Sequence, residues 1–227
     1  MIHYLFDIDG TLVRAGGAGA RSLAAVMMTR YGVADACRGI SAAGRTDPAI
    51  VHEIFEKALG RAPAEGESEA VIAAYLEELD RALGTSGSTL RVLPGAADTL
   101  PALAARPEVR LAVATGNVRG GARIKLHHAG LAPHFDLDRT GGYGCDSAVR
   151  AVLVARAVER AGAGPADTVV VVGDTVHDVN AARAVGAVCV GITTGSDPAE
   201  VLSAAGADVV IDELPALVPW HAARFAA

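Results

Sequence analysis

The chain has 227 residues, 51% of them hydrophobic, and a formal net charge of −6. That length supports one sizeable core, or a core with a smaller insertion, and the acidic balance argues against broad nucleic-acid binding, which needs a basic face. No apolar run is long enough to predict a membrane span.

The first predicted element is a buried strand over Ile2–Phe6, where polar alternation is nearly absent. It ends in Asp7 and Asp9, which flank Ile8 and run into the Gly10-Thr11 turn. Alternation along an extended segment puts both carboxylates on the same side. Like charges so close need a cation, a proton or a reaction. In an open parallel sheet that position, just past a strand's carboxyl end, is where ligands bind.

Residues 14–91 read differently. Three helices are expected, at Ala18–Tyr31, Asp47–Leu59 and Glu67–Leu83, with no convincing strand among them. Glycine-rich segments lead in at Gly16-Gly17-Ala18-Gly19 and out at Gly84, which suggests a small helical unit that moves relative to the rest. The first of these segments is not a dinucleotide fingerprint, because Ser22 stands at its third glycine position. Asp47 before Pro48 is a good helix start and is expected to be structural. Arg45, just before it, is placed to grip the non-reacting part of a substrate, particularly a carboxylate.

From residue 92 onward strands and helices alternate. Strands are predicted at Val109–Ala114, Thr168–Val172, Val188–Ile192 and Val209–Ile211, and helices at Ala96–Ala105, Arg119–Ala129, Ser147–Ala161, Val176–Val185 and Pro198–Ala204. That pattern implies an α/β fold with a parallel sheet covered on both faces. The predicted boundaries are 1–13 and 92–227 for the core and 14–91 for the helical insertion.

Two of these strands also end in functional groups. The strand before Thr115-Gly116-Asn117 closes in a hydroxyl and a glycine, and the one before Gly173-Asp174 is followed by Asp178 one helical turn on. Arg150 lies 24 positions before Asp174. Together with Asp7 and Asp9, these residues resemble the motif set of the haloacid dehalogenase superfamily, most of whose members are phosphatases, and in particular its phosphoglycolate phosphatase-like branch. The resemblance covers nearly the whole chain. It implies a Rossmann-like core with an α-helical cap at 14–91. One departure is that the family more often has lysine where Arg150 stands; arginine keeps the charge but changes the geometry.

The residue types suit phosphoryl transfer, which needs a nucleophile, neutralisation of phosphate oxygens and in-line positioning. Asp7 is the expected nucleophile, forming an aspartyl-phosphate, and Asp9 the general acid and base. Asp7, Asp174 and the Asp9 backbone carbonyl suit Mg²⁺, with Asp178 completing or orienting the set. Thr115, with the amides of Gly116 and Asn117, is expected to hold the phosphate at the start of a helix, and Arg150 to add a second positive charge. Lys125 is set aside as mid-helix and too far before Asp174, and His177 as structural or solvated. The expected activity is hydrolysis of a small phosphomonoester, phosphoglycolate-like or a sugar phosphate, with no nucleic-acid or membrane partner. A sugar-phosphate mutase keeps both leading aspartates and stays open. A carbon–halogen hydrolase is disfavoured by Asp9, and a non-catalytic binding module by the full set of motif residues. Cys37, Cys145 and Cys189 show no metal-ligand spacing, and no basic leader precedes Ile2. The expected location is therefore the cytoplasm, with the thiols reduced.

Overall fold

The computed structural model describes residues 1–225. Its centre is a parallel sheet of five strands: β1 (Ile2–Phe6), β4 (Val109–Val113), β5 (Thr168–Gly173), β6 (Val188–Ile192) and β7 (Val209–Ile211), in the order β4-β1-β5-β6-β7. Between β1 and β4 lie β2 (Val13–Arg14), α1 (Ala18–Tyr31), α2 (Asp47–Leu59), α3 (Glu67–Leu83), β3 (Arg91–Val92) and α4 (Ala96–Ala104). The remaining helices are α5 (Arg119–His128), α6 (Arg150–Arg160), α7 (Val176–Ala184), α8 (Ala199–Ala205) and α9 (Leu217–Arg224).

Alternation along the strands feeds two separate apolar layers. Tyr4, Phe6, Val170 and Val172 pack on one face with Leu100 of α4, Leu126 of α5 and Leu217 of α9. Leu5, Ala112, Val171 and Cys189 pack on the other with Leu153 of α6, Val179 of α7 and Leu202 of α8. Register then sets the site. Phe6 pairs with both Val113 and Val172, so β1, β4 and β5 finish level and the residues beyond them emerge along one edge.

The three insertion helices bury a cluster of their own. Leu23 and Met27 of α1, Ile50, Ile54 and Phe55 of α2, and Tyr75 and Leu79 of α3 recur at helical spacing. At the start of α2 the Thr46 hydroxyl accepts from the Ala49 amide, with Pro48 in the first turn, the expected arrangement for a helix entry.

The predicted strands and helices all appear, some with the expected bounds and the others with ends shifted by at most three residues. The largest shift is α6, which begins at Arg150 and not at Ser147, because the Ser147 hydroxyl accepts the Val149 amide in a local turn that precedes the helix. Two of the additions bear on the layout. A short antiparallel ribbon joins β2 to β3, pairing Val13 with Val92 and Arg14 with Arg91 at the two ends of the insertion, where no strand was expected. Helix α9 packs beneath the sheet, its His221 Nδ1 within 2.8 Å of the Tyr4 hydroxyl. Among the described residues, no helix is long and apolar enough to cross a membrane, and Cys37, Cys145 and Cys189 are free thiols.

Candidate active site

Asp7 leaves the end of β1 with its amide donating to the Val172 carbonyl at 2.9 Å, which fixes the carboxylate at the sheet edge. Asp174 leaves β5 beside it, and Asp178 follows in the first turn of α7. One oxygen from each of Asp7, Asp174 and Asp178 lies within 4.8 Å of the others, and all three residues are buried. Arg150 spans the cluster: Nη2 is 3.1 Å from Asp7 Oδ1 and 2.5 Å from Asp178 Oδ1, and Nε donates to Asp178 Oδ1 at 2.8 Å. Burial pushes the Asp7 and Asp174 carboxyls well above the ordinary range, and their neighbouring carboxylates add to it; Arg150 works against the rise. Three buried carboxylates against one guanidinium leave an excess of negative charge that a cation would relieve.

The donor set fits a hard divalent ion. Asp174 Oδ2 accepts the Ser196 amide at 2.7 Å, while its Oδ1 is buried with no hydrogen-bond partner among the described residues. Gly195 and Gly10 wrap this carboxylate so closely that a Cβ would lie 1.8 Å and 2.5 Å from Oδ2. Gly10 also has φ +85°, which disfavours any side chain. Asp178 differs. Its Oδ1 is taken by Arg150, and its Oδ2 by the Thr175 amide and hydroxyl in a capping box that starts α7. Both of its oxygens are hydrogen-bonded within the protein, one of them to Arg150.

The Asp9 carboxylate points elsewhere. It lies outside the three-carboxylate cluster and its Oδ2 accepts from Asn117 Nδ2 at 2.8 Å and from Lys125 Nζ at 2.5 Å. Asn117 links this group to the end of β4, donating to the fully buried Thr115 hydroxyl at 2.9 Å and accepting from Lys125 at 2.6 Å. Here the sequence reading needs correcting. Lys125 belongs to the site although it is mid-helix, because a long side chain on the buried stripe of α5 reaches back along the helix to the sheet edge. Burial works to lower its pKa, but Asp9, Tyr75 and Asp47 outweigh it and hold the ammonium charged. A signal existed: a lone cation on the buried stripe Gly121, Ala122, Lys125, Leu126 must have a partner.

The expected phosphate cradle at a helix start is also modified. Helix α5 begins at Arg119, two residues after Asn117. The Asn117 amide is turned to the Thr115 hydroxyl at 3.3 Å, and the Val118 amide donates to Asp47 Oδ2 at 2.8 Å. Asp47 therefore does more than start α2: it caps a helix of the core from the insertion. Its own amide donates to the Gly116 carbonyl at 2.9 Å, and Arg150 Nη1 to the Gly44 carbonyl at 3.3 Å. A Cβ on Gly44 would lie 2.3 Å from the His177 ring. His177 thus borders the insertion loop, a packing position. Arg45 lines the cavity too, but its guanidinium is engaged by Glu53 and the Ser41 and Ala49 carbonyls. The expected free grip on a substrate carboxylate is not the arrangement found.

Between the sheet edge and the insertion lies a cavity of about 530 Å³ whose lining includes Asp7, Asp9, Thr115, Asn117, Arg150 and Asp174. A family model of haloacid dehalogenase-like hydrolases matches residues 3–186. The chain belongs to this family. Among curated relatives, a probable phosphatase, IndB, of Dickeya dadantii is 30% identical over 220 residues, covering 94% of this chain and 90% of that one. A phosphoglycolate phosphatase of Synechococcus elongatus is 31% identical over 140 residues, 62% of this chain and 64% of its own. The fold is shared with CbbY of Rhodobacter sphaeroides, solved with phosphate (TM-score 0.72, 19% identity, 95% of each chain). It is shared equally with a hydrolase of Pseudomonas syringae (TM-score 0.70, 21% identity, 100% of each chain).

Proposed function

We propose that this hydrolase cleaves a small phosphomonoester, with Asp7 as the nucleophile and Asp9 as the general acid and base. The observation that carries the reading is the convergence of Asp7, Thr115 and Asp174 at the level ends of three neighbouring strands, with Arg150 Nη2 3.1 Å from Asp7 Oδ1. The two relatives above, a probable phosphatase and a phosphoglycolate phosphatase, support it.

Each group has a task in this reading. Arg150 lies against Asp7, where the transferring phosphoryl oxygens arrive, and Asp178 holds its guanidinium in that orientation. Thr115, buried at the end of β4, offers a hydroxyl to the same oxygens. Asp9 protonates the leaving oxygen and then takes a proton from the attacking water, with Lys125 and Asn117 fixing its carboxylate meanwhile. Asp7, Asp174 and the Asp9 carbonyl would hold Mg²⁺, which when bound would supply charge neutralisation for the phosphoryl group. The helical insertion acts as a cap: its loop at residues 44–47 docks on Gly116, Val118 and Arg150 and excludes water from the reaction.

The test is release of inorganic phosphate from an aryl phosphate by the purified protein. Turnover is expected with Mg²⁺, is lost on chelation and returns when Mg²⁺ is restored. Absence of phosphate release from aryl and alkyl phosphates alike, with Mg²⁺ present, sinks the proposal. Transfer of phosphate within a sugar without release identifies a mutase instead.

A further inference from the structure

The cavity over Asp7 has two unlike walls. The core wall is charged. On the insertion side, the charged side chains that reach the cavity each have a partner within the protein. Arg14 donates to the Thr194 carbonyl at 2.5 Å, Arg45 is held by Glu53, and Asp47 Oδ2 receives the Val118 amide at 2.8 Å. Lys125, from the core side of the same rim, is shared between Asp9 and Asn117. The Tyr75 hydroxyl faces the glycine-rich loop, 3.4 Å from where a Cβ on Gly19 would stand.

The rest of that wall is apolar: Ala20, Leu23, Cys37, Ile40, Ala43 and Ile50. It is continuous with the interior of the insertion, since Leu23 and Ile50 belong to its buried cluster and Cys37 and Ile40 pack against it. A carboxylate or a hydroxyl-rich group placed against these side chains would give up water and face carbon and sulfur in its place. An aliphatic or aromatic group would lose nothing and gain burial.

We infer that the leaving group is an apolar alcohol: the substrate is the phosphomonoester of a compact aliphatic or aromatic alcohol whose body rests against Leu23, Ile40 and Ile50. This rests on the phosphomonoesterase reading above and narrows it, replacing a polar leaving group such as glycolate or a sugar. A cavity of about 530 Å³ falls in the range of pockets that enclose small organic ligands, roughly 300–1,000 Å³. The chemistry stays at the phosphoryl end, and the apolar body serves to orient it, using binding energy remote from the reacting atoms.

The experiment measures kcat/KM by phosphate release for n-alkyl phosphates from ethyl to hexyl, with phosphoglycolate and glycerol phosphate as polar esters of similar size. The expected result is a rise of about fourfold per added methylene until the cavity is filled, the fold-change matching burial of one such group. The polar esters are expected at least tenfold below alkyl esters of similar size. Ile40 is only half-buried, so Ile40→Asn should fold, and it is expected to flatten the chain-length gradient. A flat gradient in the unmodified enzyme, a preference for the polar esters, or an unchanged gradient in Ile40→Asn overturns this inference while leaving the phosphatase reading intact. No phosphate release from any ester, including an aryl phosphate, overturns both.

Discussion

The two sides of the cavity are built on different physical terms. On the core side, charges are brought together at the sheet edge and tied into a network. Arg150 is bonded to Asp178 and lies beside Asp7, and Lys125 and Asn117 hold Asp9. On the insertion side the lining is mainly aliphatic and borders a hydrophobic cluster of its own. The contrast teaches a division of labour. A low-dielectric edge with fixed dipoles stabilises developing charge and changes little between substrates. A hydrophobic wall recognises size and polarity and has no part in the bond-making.

Removing the nucleophile is the strongest way to break this picture. Asp7→Asn should abolish phosphate release and leave no phosphate bound to acid-quenched enzyme, because the amide does not attack. Asp9→Asn comes next, with an expected loss in kcat of about 10²–10⁴, the usual range for a general acid-base group. Near-full activity on a poor leaving group would separate Asp9 from proton transfer.

Lys125→Met sharpens the comparison, because this residue sits at the seam. It leaves Asp9 with Asn117 alone and should lower kcat by about 10²-fold, the scale of a misplaced reacting group, with KM little changed. A change confined to KM for one leaving group would move Lys125 to the recognition side. Gly116→Ala tests the contact between the walls. Its Cβ would stand 2.1 Å from the Arg45 carbonyl oxygen, so the insertion loop must draw back. A loss of about tenfold or more in kcat/KM is expected, as the loop no longer closes over the reacting atoms.

The smallest effect lies within the insertion. Glu67 is held down to about 2 by Arg61 first, with the Ala64 amide adding to it. A carboxyl lowered in the folded state adds stability above its unfolded pKa, and that contribution is lost as pH falls towards the folded value. Glu67→Gln should therefore melt below the unmodified protein at pH 7, and the two should converge as pH falls from about 4.5 towards 2. Activity should not change, since Glu67 braces the start of α3 away from the cavity.

The sheet and the polar groups at its edge were legible because their signals are local. Runs such as Thr168–Gly173 are too β-branched and apolar to be anything but buried strands, and the motif groups stand directly at their ends. The helices were legible from periodicity and glycine punctuation, though Ser147 misled the start of α6 with a turn of its own. The β2–β3 ribbon was not legible, as two residues per strand carry no period. Nor was α9: with Pro219 inside eight residues, it owes its place to packing under Tyr4 and not to propensity.

The sequence alone determined the family and the placing of Asp7, Asp9, Thr115 and Asp174 just past the ends of strands, since each follows from residues adjacent in the chain. The tertiary structure decided which cation meets which carboxylate. Lys125 reaches Asp9 across 116 positions, Asp47 caps Val118 across 71, and Arg45, in the loop before α2, turns to Glu53 of that helix. The energy of a charge depends on its partner and on the water it gives up, and both are set by where the folded chain brings it.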